Sequence, residues 1–495
     1  MSFPWLYKHK VSHYTFCVSC GNEKHTQARL ATGGTWQANR RWMRWHICLL
    51  FVLLLCMSAC SSRVSTEDIR SGLRHNDLQG LIKKMQETHA VHNEFVTALN
   101  LARAYQLQGR WRDSIAAYEM GSDILEEYEN RARISMRNLL GGVGSILISR
   151  GSVGYFGAGY ERVLLHTFNS LNYLMLGDFT RAAVEMRRME ERQEVWLREQ
   201  EYRLREYLEK RQAVASYGDD YLPSNYSMTE ILQSPEVRTL ASAYQDPFSY
   251  SLSAIVCSIA DDANYAEVSM RRAVSLNPGA GEMLKAAWDS KKTAKLYPPS
   301  KQDVVVLVFS GLAPALRMEQ IRLPAPYIGY IMIDLPACIP GVKPMEPKIR
   351  LGREELRPYP LLRIELLAYR ALKDEVRYEI GSAIARALAR AAISGAVYAG
   401  MRSSEQTEAY AGLASLLITG FMDMFSTTTS KSVRNWELLP SAGYIAMGQV
   451  ERGGEATVRL GGQEHNINMP SDARGVLIMV SQTTTSNVRV DYVAY

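Results

Sequence analysis

Few side chains in this 495-residue chain stand at spacings that suit chemistry. Cys17-Val18-Ser19-Cys20, flanked by His13 and His25, has the spacing of a zinc loop, where thiolates and imidazoles close a tetrahedron. One CxxC without a second pair is weak evidence for a metal. His89 and His92 share a helix face but have no third ligand at helical spacing, so surface positions are the simpler reading. Glu161 and His166 are five apart and diverge by roughly 140° on a helix, which argues against a dyad. Asp261-Asp262 reads as a turn between helices, and Asp491 in the last strand has no visible partner. GxSxG, HExxH and SxxK do not occur, nor does a phosphate loop. The chain does not read as an enzyme, and no metal, cofactor or small-molecule substrate is expected.

One cysteine has a clear chemical context. Arg44–Ser62 carries a basic residue, an apolar run Ile47–Met57 and then small residues ending at Cys60. Eleven apolar residues fall short of the roughly 20 that span a bilayer but suit a secretory signal. Met57-Ser58-Ala59-Cys60 resembles the bacterial lipobox, in which the chain is cut before a cysteine that then carries lipid. The resemblance also implies, from Ser61 after the cysteine, delivery to the outer membrane. A signal should begin near its basic end, so Met43 is the expected initiator. Residues 1–42 would then be upstream sequence that is never translated, and 43–59 the signal peptide. Cleavage leaves 436 residues with 50 basic and 50 acidic side chains, because seven Lys/Arg and only Glu23 lie in 1–59. The formal charge of +6 therefore belongs to the leader, and nothing remains to neutralise the phosphates of a nucleic acid. Cys257 and Cys338 also survive cleavage and are expected as buried thiols rather than a disulfide.

The elements that would position these residues begin with repeats. Ala98-x2-Leu101-Ala102-x2-Tyr105, Gly109-x-Trp111, Ser114 and Tyr118 follow the tetratricopeptide pattern of small and large residues on two packed helices. A second copy runs through Ser170, Tyr173, Gly177, Phe179, Ala182 and Met186. A third runs through Tyr250, Ala254, Cys257, Ala266, Met270, Ala273 and Pro278. Ala102 and Ser170 are 68 residues apart, twice the 34-residue period. The glycine-rich stretch Gly141–Gly159 reads as a loop. Arg181–Arg211, rich in Glu and Arg three or four apart, reads as a mostly solvated helix held by local ion pairs.

The texture changes at Pro298. Val304–Phe309 and Tyr327–Leu335 read as strands, Pro336–Pro360 as proline-rich loop with short extended pieces, and Leu366–Ala399 as a helix. Gly412–Phe425 is apolar but too short to cross a membrane. Tyr444–Val450, Ala456–Leu460, Val476–Val480 and Val488–Val493 read as four late strands. The fold expected is α+β. A helical tetratricopeptide-like solenoid occupies 60–297, and a small α+β domain with an antiparallel sheet occupies 298–495.

The order of features resembles a family. The lipobox, the interrupted repeats, Tyr160-Glu161-Arg-Val-Leu-Leu-His166, Leu171-Asn-Tyr-Leu-x-Leu-Gly177-Asp178, Gly311-Leu-Ala-Pro314 and Arg434-Asn-Trp436-x-Leu-Leu-Pro440 are similar to those of tetratricopeptide-repeat outer-membrane lipoproteins of Gram-negative bacteria. The resemblance implies no activity. It implies a scaffold on the periplasmic side of the outer membrane, held by its lipid alone. The partners would be other envelope proteins or lipoproteins, with peptidoglycan synthesis one process served. The alternative is an accessory lipoprotein of a secretion or polysaccharide-export machine. By the same resemblance, the first helix of each repeat lines a concave groove. That would expose Val96, Leu99, Arg103 and Gln106 from the first copy, and Leu164, Thr167, Leu171 and Leu174 from the second. The apolar set in the second copy implies either a bound peptide or coverage by the C-terminal half. The plainer alternative makes all eight simple core residues.

Overall fold

A computed structural model describes residues 63–139, 157–211, 222–240, 242–293, 300–325, 329–377, 379–381, 383, 434–484 and 488–495. The leader with its CxxC, Cys60, most of the glycine-rich stretch and the apolar segment 412–425 lie outside these residues.

Two helices, α1 (Thr66–Arg74) and α2 (Leu78–His92), precede three antiparallel pairs: α3 (Phe95–Leu107) with α4 (Trp111–Leu139), α5 (Gly159–Met175) with α6 (Phe179–Arg211), and, after the short α7 (Thr229–Leu232) and α8 (Pro235–Thr239), α9 (Pro247–Ile259) with α10 (Ala263–Leu276). Helix α11 (Pro278–Thr293) follows. One turn closes all three pairs. Gly109, Gly177 and Asp261 each take a left-handed backbone at φ 71°, 74° and 63°. The next amide in each case donates to a carbonyl five residues back, Arg110 to Tyr105, Asp178 to Tyr173 and Asp262 to Cys257, at 2.8–3.0 Å. This is the helix stop that a left-handed residue permits. Small residues sit where the helices of each pair cross. Ser114 donates to the Ala102 carbonyl at 2.7 Å, and Ser170 donates to that of Ala182 at 3.0 Å, the same contact with donor and acceptor helices exchanged.

Strand β1 (Lys301–Ser310) is the centre of the second half. The strands that follow are β2 (Ala315–Ala325), β3 (Gly329–Ile339), β4 (Lys348–Leu351), β5 (Glu354–Leu356), β6 (Tyr359–Arg363), β7 (Ala442–Glu451), β8 (Glu455–Leu460), β9 (Gln463–Asn468), β10 (Gly475–Gln482) and β11 (Val488–Ala494), with helix α12 over 364–377. The main sheet has the order β11-β10-β1-β7-β6 and is mixed, not antiparallel as expected. Strand β1 runs parallel to β10, with Val304 opposite Val476, and antiparallel to β7. A strand buried on both faces reads as a continuous apolar run with no signal of partner direction. Both Val304–Phe309 and β10 are of that kind.

The main sheet is the middle of three layers. Val304, Val306, Val308, Val476, Ile478 and Val480 face the antiparallel sheet β5-β4-β8-β9. Val305, Leu307, Phe309, Leu477 and Met479 face the helices. The ribbon β2–β3 makes a third cluster with Tyr226, Leu232, Val237 and the α12 residues Tyr369, Leu372 and Val376. Residues Ser62–Tyr495 are one compact unit, and helices and sheet share one apolar core. The boundary near 297 marks a change of secondary structure, with no break in packing.

Helix α6 departs from the solvated reading. Ala182, Met186, Met189, Gln193 and Trp196, spaced four and three apart, form a buried seam. Glu190 is buried beside that seam, where it accepts bonds from Ser253 (2.7 Å), Ser269 (2.5 Å) and Arg272 (2.9 Å) and ties α6 to the third pair. Cys257 and Cys338 are free, buried thiols.

Candidate functional site

The eight residues assigned to a concave groove are all buried, none more than 5% exposed. This corrects the expectation of an open groove. An apolar helix face and an apolar sheet face each lose free energy in water, and here they cover one another. The filling consists of Phe309 from β1 and the segment Arg434–Pro440. Val96, Leu99, Leu164, Leu171 and Leu174 pack in one cluster with Trp436, Leu438 and Leu439. Thr167 is bonded to Ser249 of the third pair at 2.8 Å.

Polar side chains on the helices hold the backbone of that segment. Asn100 accepts from the Leu438 amide at 3.0 Å and donates to the Asn435 carbonyl at 3.4 Å. Glu161 accepts from the Trp436 amide at 2.7 Å, and its other oxygen accepts from the Ala158 amide at the start of α5 at 2.9 Å. Asn435 donates to the Pro314 carbonyl at 2.6 Å, and Leu439 accepts from the Ala313 amide at 2.8 Å. Gly311 turns the chain at φ 77°, and a β-carbon there would meet the Val342 carbonyl at 2.4 Å, so glycine is required. The motifs around Glu161, Gly311 and Trp436 therefore meet at one place, although more than 270 residues separate Glu161 from Trp436.

Side-chain packing completes the strap. The Trp436 ring meets Tyr118 edge-on at 5.8 Å and Phe168 at 5.7 Å. The Arg103 guanidinium lies 4.9 Å from the Phe168 ring and 5.7 Å from that of Phe309, and donates to Gln106 at 2.5 Å. Gln106 in turn donates to the Phe168 carbonyl and to Asn172. Burial lowers Arg103 to about 10. Arg434 pairs with Glu94 at the strap's entry. Glu437 accepts from Thr66 at 2.8 Å, and burial pushes its carboxyl up to about 7.

A second feature lies on the helices alone. A cleft of about 430 Å³ opens between α4, α5 and α6. His166 and Glu185 form part of its wall, bonded through Nδ1 at 2.8 Å, both nearly sealed from solvent. Burial opposes the charge on Glu185, but the bond from His166 and nearby Arg188 hold its carboxyl below the usual range. Arg188 donates to Glu185 at 2.9 Å, and Arg192 pairs with Glu129, which also accepts from Trp196 at 3.0 Å. His166 thus meets Glu185 and not Glu161. Their spacing of 19 falls between two helices, and nothing in local sequence marks it. Asp261 and Asp262 occupy the turn as expected, with Asp262 accepting from Tyr265. Asp491 does have a partner, Arg489 at 2.6 Å.

Among the described residues no three or more His, Cys, Asp or Glu are gathered to hold a metal, and no helix is long and apolar enough to cross a membrane. Comparison of the chain with protein-family models, curated proteins and solved structures finds no match.

Proposed function

We propose that the chain is a tetratricopeptide-like scaffold, anchored by lipid on Cys60 to the periplasmic face of the outer membrane, that gathers other envelope proteins and has no catalytic activity of its own. Peptidoglycan synthesis is the process it serves. The observation that supports this reading most is the sameness of the three helix pairs, which share turn conformation, closing hydrogen bond and small-residue crossings. Such pairs cannot bury their faces alone and gain stability by stacking. The inner face already holds the turn-containing segment Arg434–Pro440 by its backbone, through Asn100 and Glu161. Because that face is filled from within, partners dock on the remaining surfaces of the pairs.

Crosslinking in living cells, followed by mass spectrometry, tests the reading. Recovery of cell-wall synthases or their activators is expected. Recovery of an export or secretion channel alone would replace the process, and recovery of no envelope protein would overturn the scaffold. The same spectra should show acyl chains on Cys60 and no peptide from before Met43. Cys60→Ala should release the protein from the membrane fraction.

A further inference from the structure

The cleft between α4, α5 and α6 has a charge pattern that the fold does not explain. Its wall holds six carboxylates and two guanidinium groups, and both guanidinium groups are committed to carboxylates of the same wall. Glu119, Asp123, Glu126 and Glu191 are left in no ion pair among the described residues. Glu119, Asp123 and Glu126 stand four and then three apart on one exposed face of α4. Like charges at these spacings repel and weaken the helix. An unrelieved row of this kind is a cost that a cationic ligand removes.

One buried group with unused hydrogen-bonding capacity adjoins the row. His166 is 3% exposed, lines the cleft, and is bonded by the protein through Nδ1 alone among the described residues. Its Nε2 edge is left for a ligand, and the Glu185 bond at Nδ1 fixes the ring. The cleft volume lies within the usual range for small-ligand sites.

We propose that this cleft binds an alkylammonium ligand, its charge set against Glu119, Asp123 and Glu126 and an ammonium N–H donated to His166 Nε2. The carboxylate row extends about 10 Å along the helix axis. It is too long to converge on one metal ion and suits ammonium groups carried on a flexible chain. That chemistry belongs both to free diamines and to lysine side chains of a partner protein. The inference does not depend on the scaffold reading, since it concerns a cleft formed by the helices of one chain.

The test is titration of the purified full chain with 1,5-diaminopentane and, separately, with a short lysine-containing peptide, followed by calorimetry and by the His166 imidazole signals in NMR. Glutarate and 1-pentanol serve as controls of equal length. Saturable binding of either amine, absent for both controls and weakened at least tenfold by Glu119→Gln, Asp123→Asn and Glu126→Gln combined, is the expected result. Binding of the diamine alone assigns a free amine, and binding of the peptide alone assigns a protein side chain. Those three positions are exposed, so the combined variant should fold with unchanged circular dichroism. The proposal is overturned if neither amine binds more tightly than about 10 mM at low salt, or if the combined variant binds as well as the parent.

Discussion

Glu437 sits where α1 meets the strap, and its protonation should set how tightly the two halves are held. Its neighbours are Thr66, which donates to it, Arg70, which favours its charged form, and Glu161, which opposes it. Burial outweighs the rest and lifts the carboxyl from 4.5 to about 7. In that window the folded chain holds a proton that the unfolded chain has released. Stability therefore falls as pH rises from 4.5 towards about 7 and levels off above it. The full shift corresponds to about 3 kcal/mol. Glu437→Gln keeps an oxygen for Thr66 and cannot ionise. It should stabilise the protein by up to about 3 kcal/mol at pH 8 and by close to nothing at pH 4.5. Urea unfolding of both proteins across that range measures the difference, in which other groups cancel. Asp246, raised to about 6 by burial, contributes a slope of the same sign to both. A variant no more stable than the parent at pH 8, or a gain that does not change with pH, would refute the reasoning.

Other outcomes follow from single contacts. Asn100→Ala leaves the Leu438 amide and the Asn435 carbonyl without this partner inside the core, and should cost about 2–4 kcal/mol by urea midpoint. Asp261→Gly relieves a left-handed backbone at φ 63° and should gain about 1 kcal/mol, whereas Asp261→Val should lose stability. Burial pushes the Cys257 thiol up to about 11 and that of Cys338 up to about 12, so neither should react with iodoacetamide at pH 8 until urea unfolds the chain.

What could be read beforehand was whatever depends on neighbours in sequence. The helix pairs follow from small and large residues repeating at fixed spacing, and all six expected strands stand within about four residues of their places. Strand β2 was missed because its residues alternate between Arg, Glu or Gln and apolar partners and include Pro324, so it lacks the run of branched residues that marked β1. The solvated reading of helix α6 fails because Glu185 and Glu190 are polar yet buried, each bonded to residues distant in sequence. The eight groove positions all lie on α3 and α5, but exposure is a property of what lies opposite. Trp436 and Phe309 cover that face from the C-terminal half of the chain. The convergence of Glu161, Gly311 and Trp436 was visible only as an order of short motifs.

The strap also sets a timetable for synthesis. Asn100 waits for Asn435, 335 residues later, and β1 waits for β10 before the central sheet can close. At ribosomal speed that interval is roughly 20 to 70 seconds, during which the inner faces of the first two helix pairs have nothing to cover them. A chain released before the strap would lack both its support and the parallel partner of β1. It should emerge as a chaperone client and a protease substrate, and the helical half should not be obtainable as a stable fragment. Nascent chains arrested after the third helix pair should thus remain cleavable at sites that the completed protein hides.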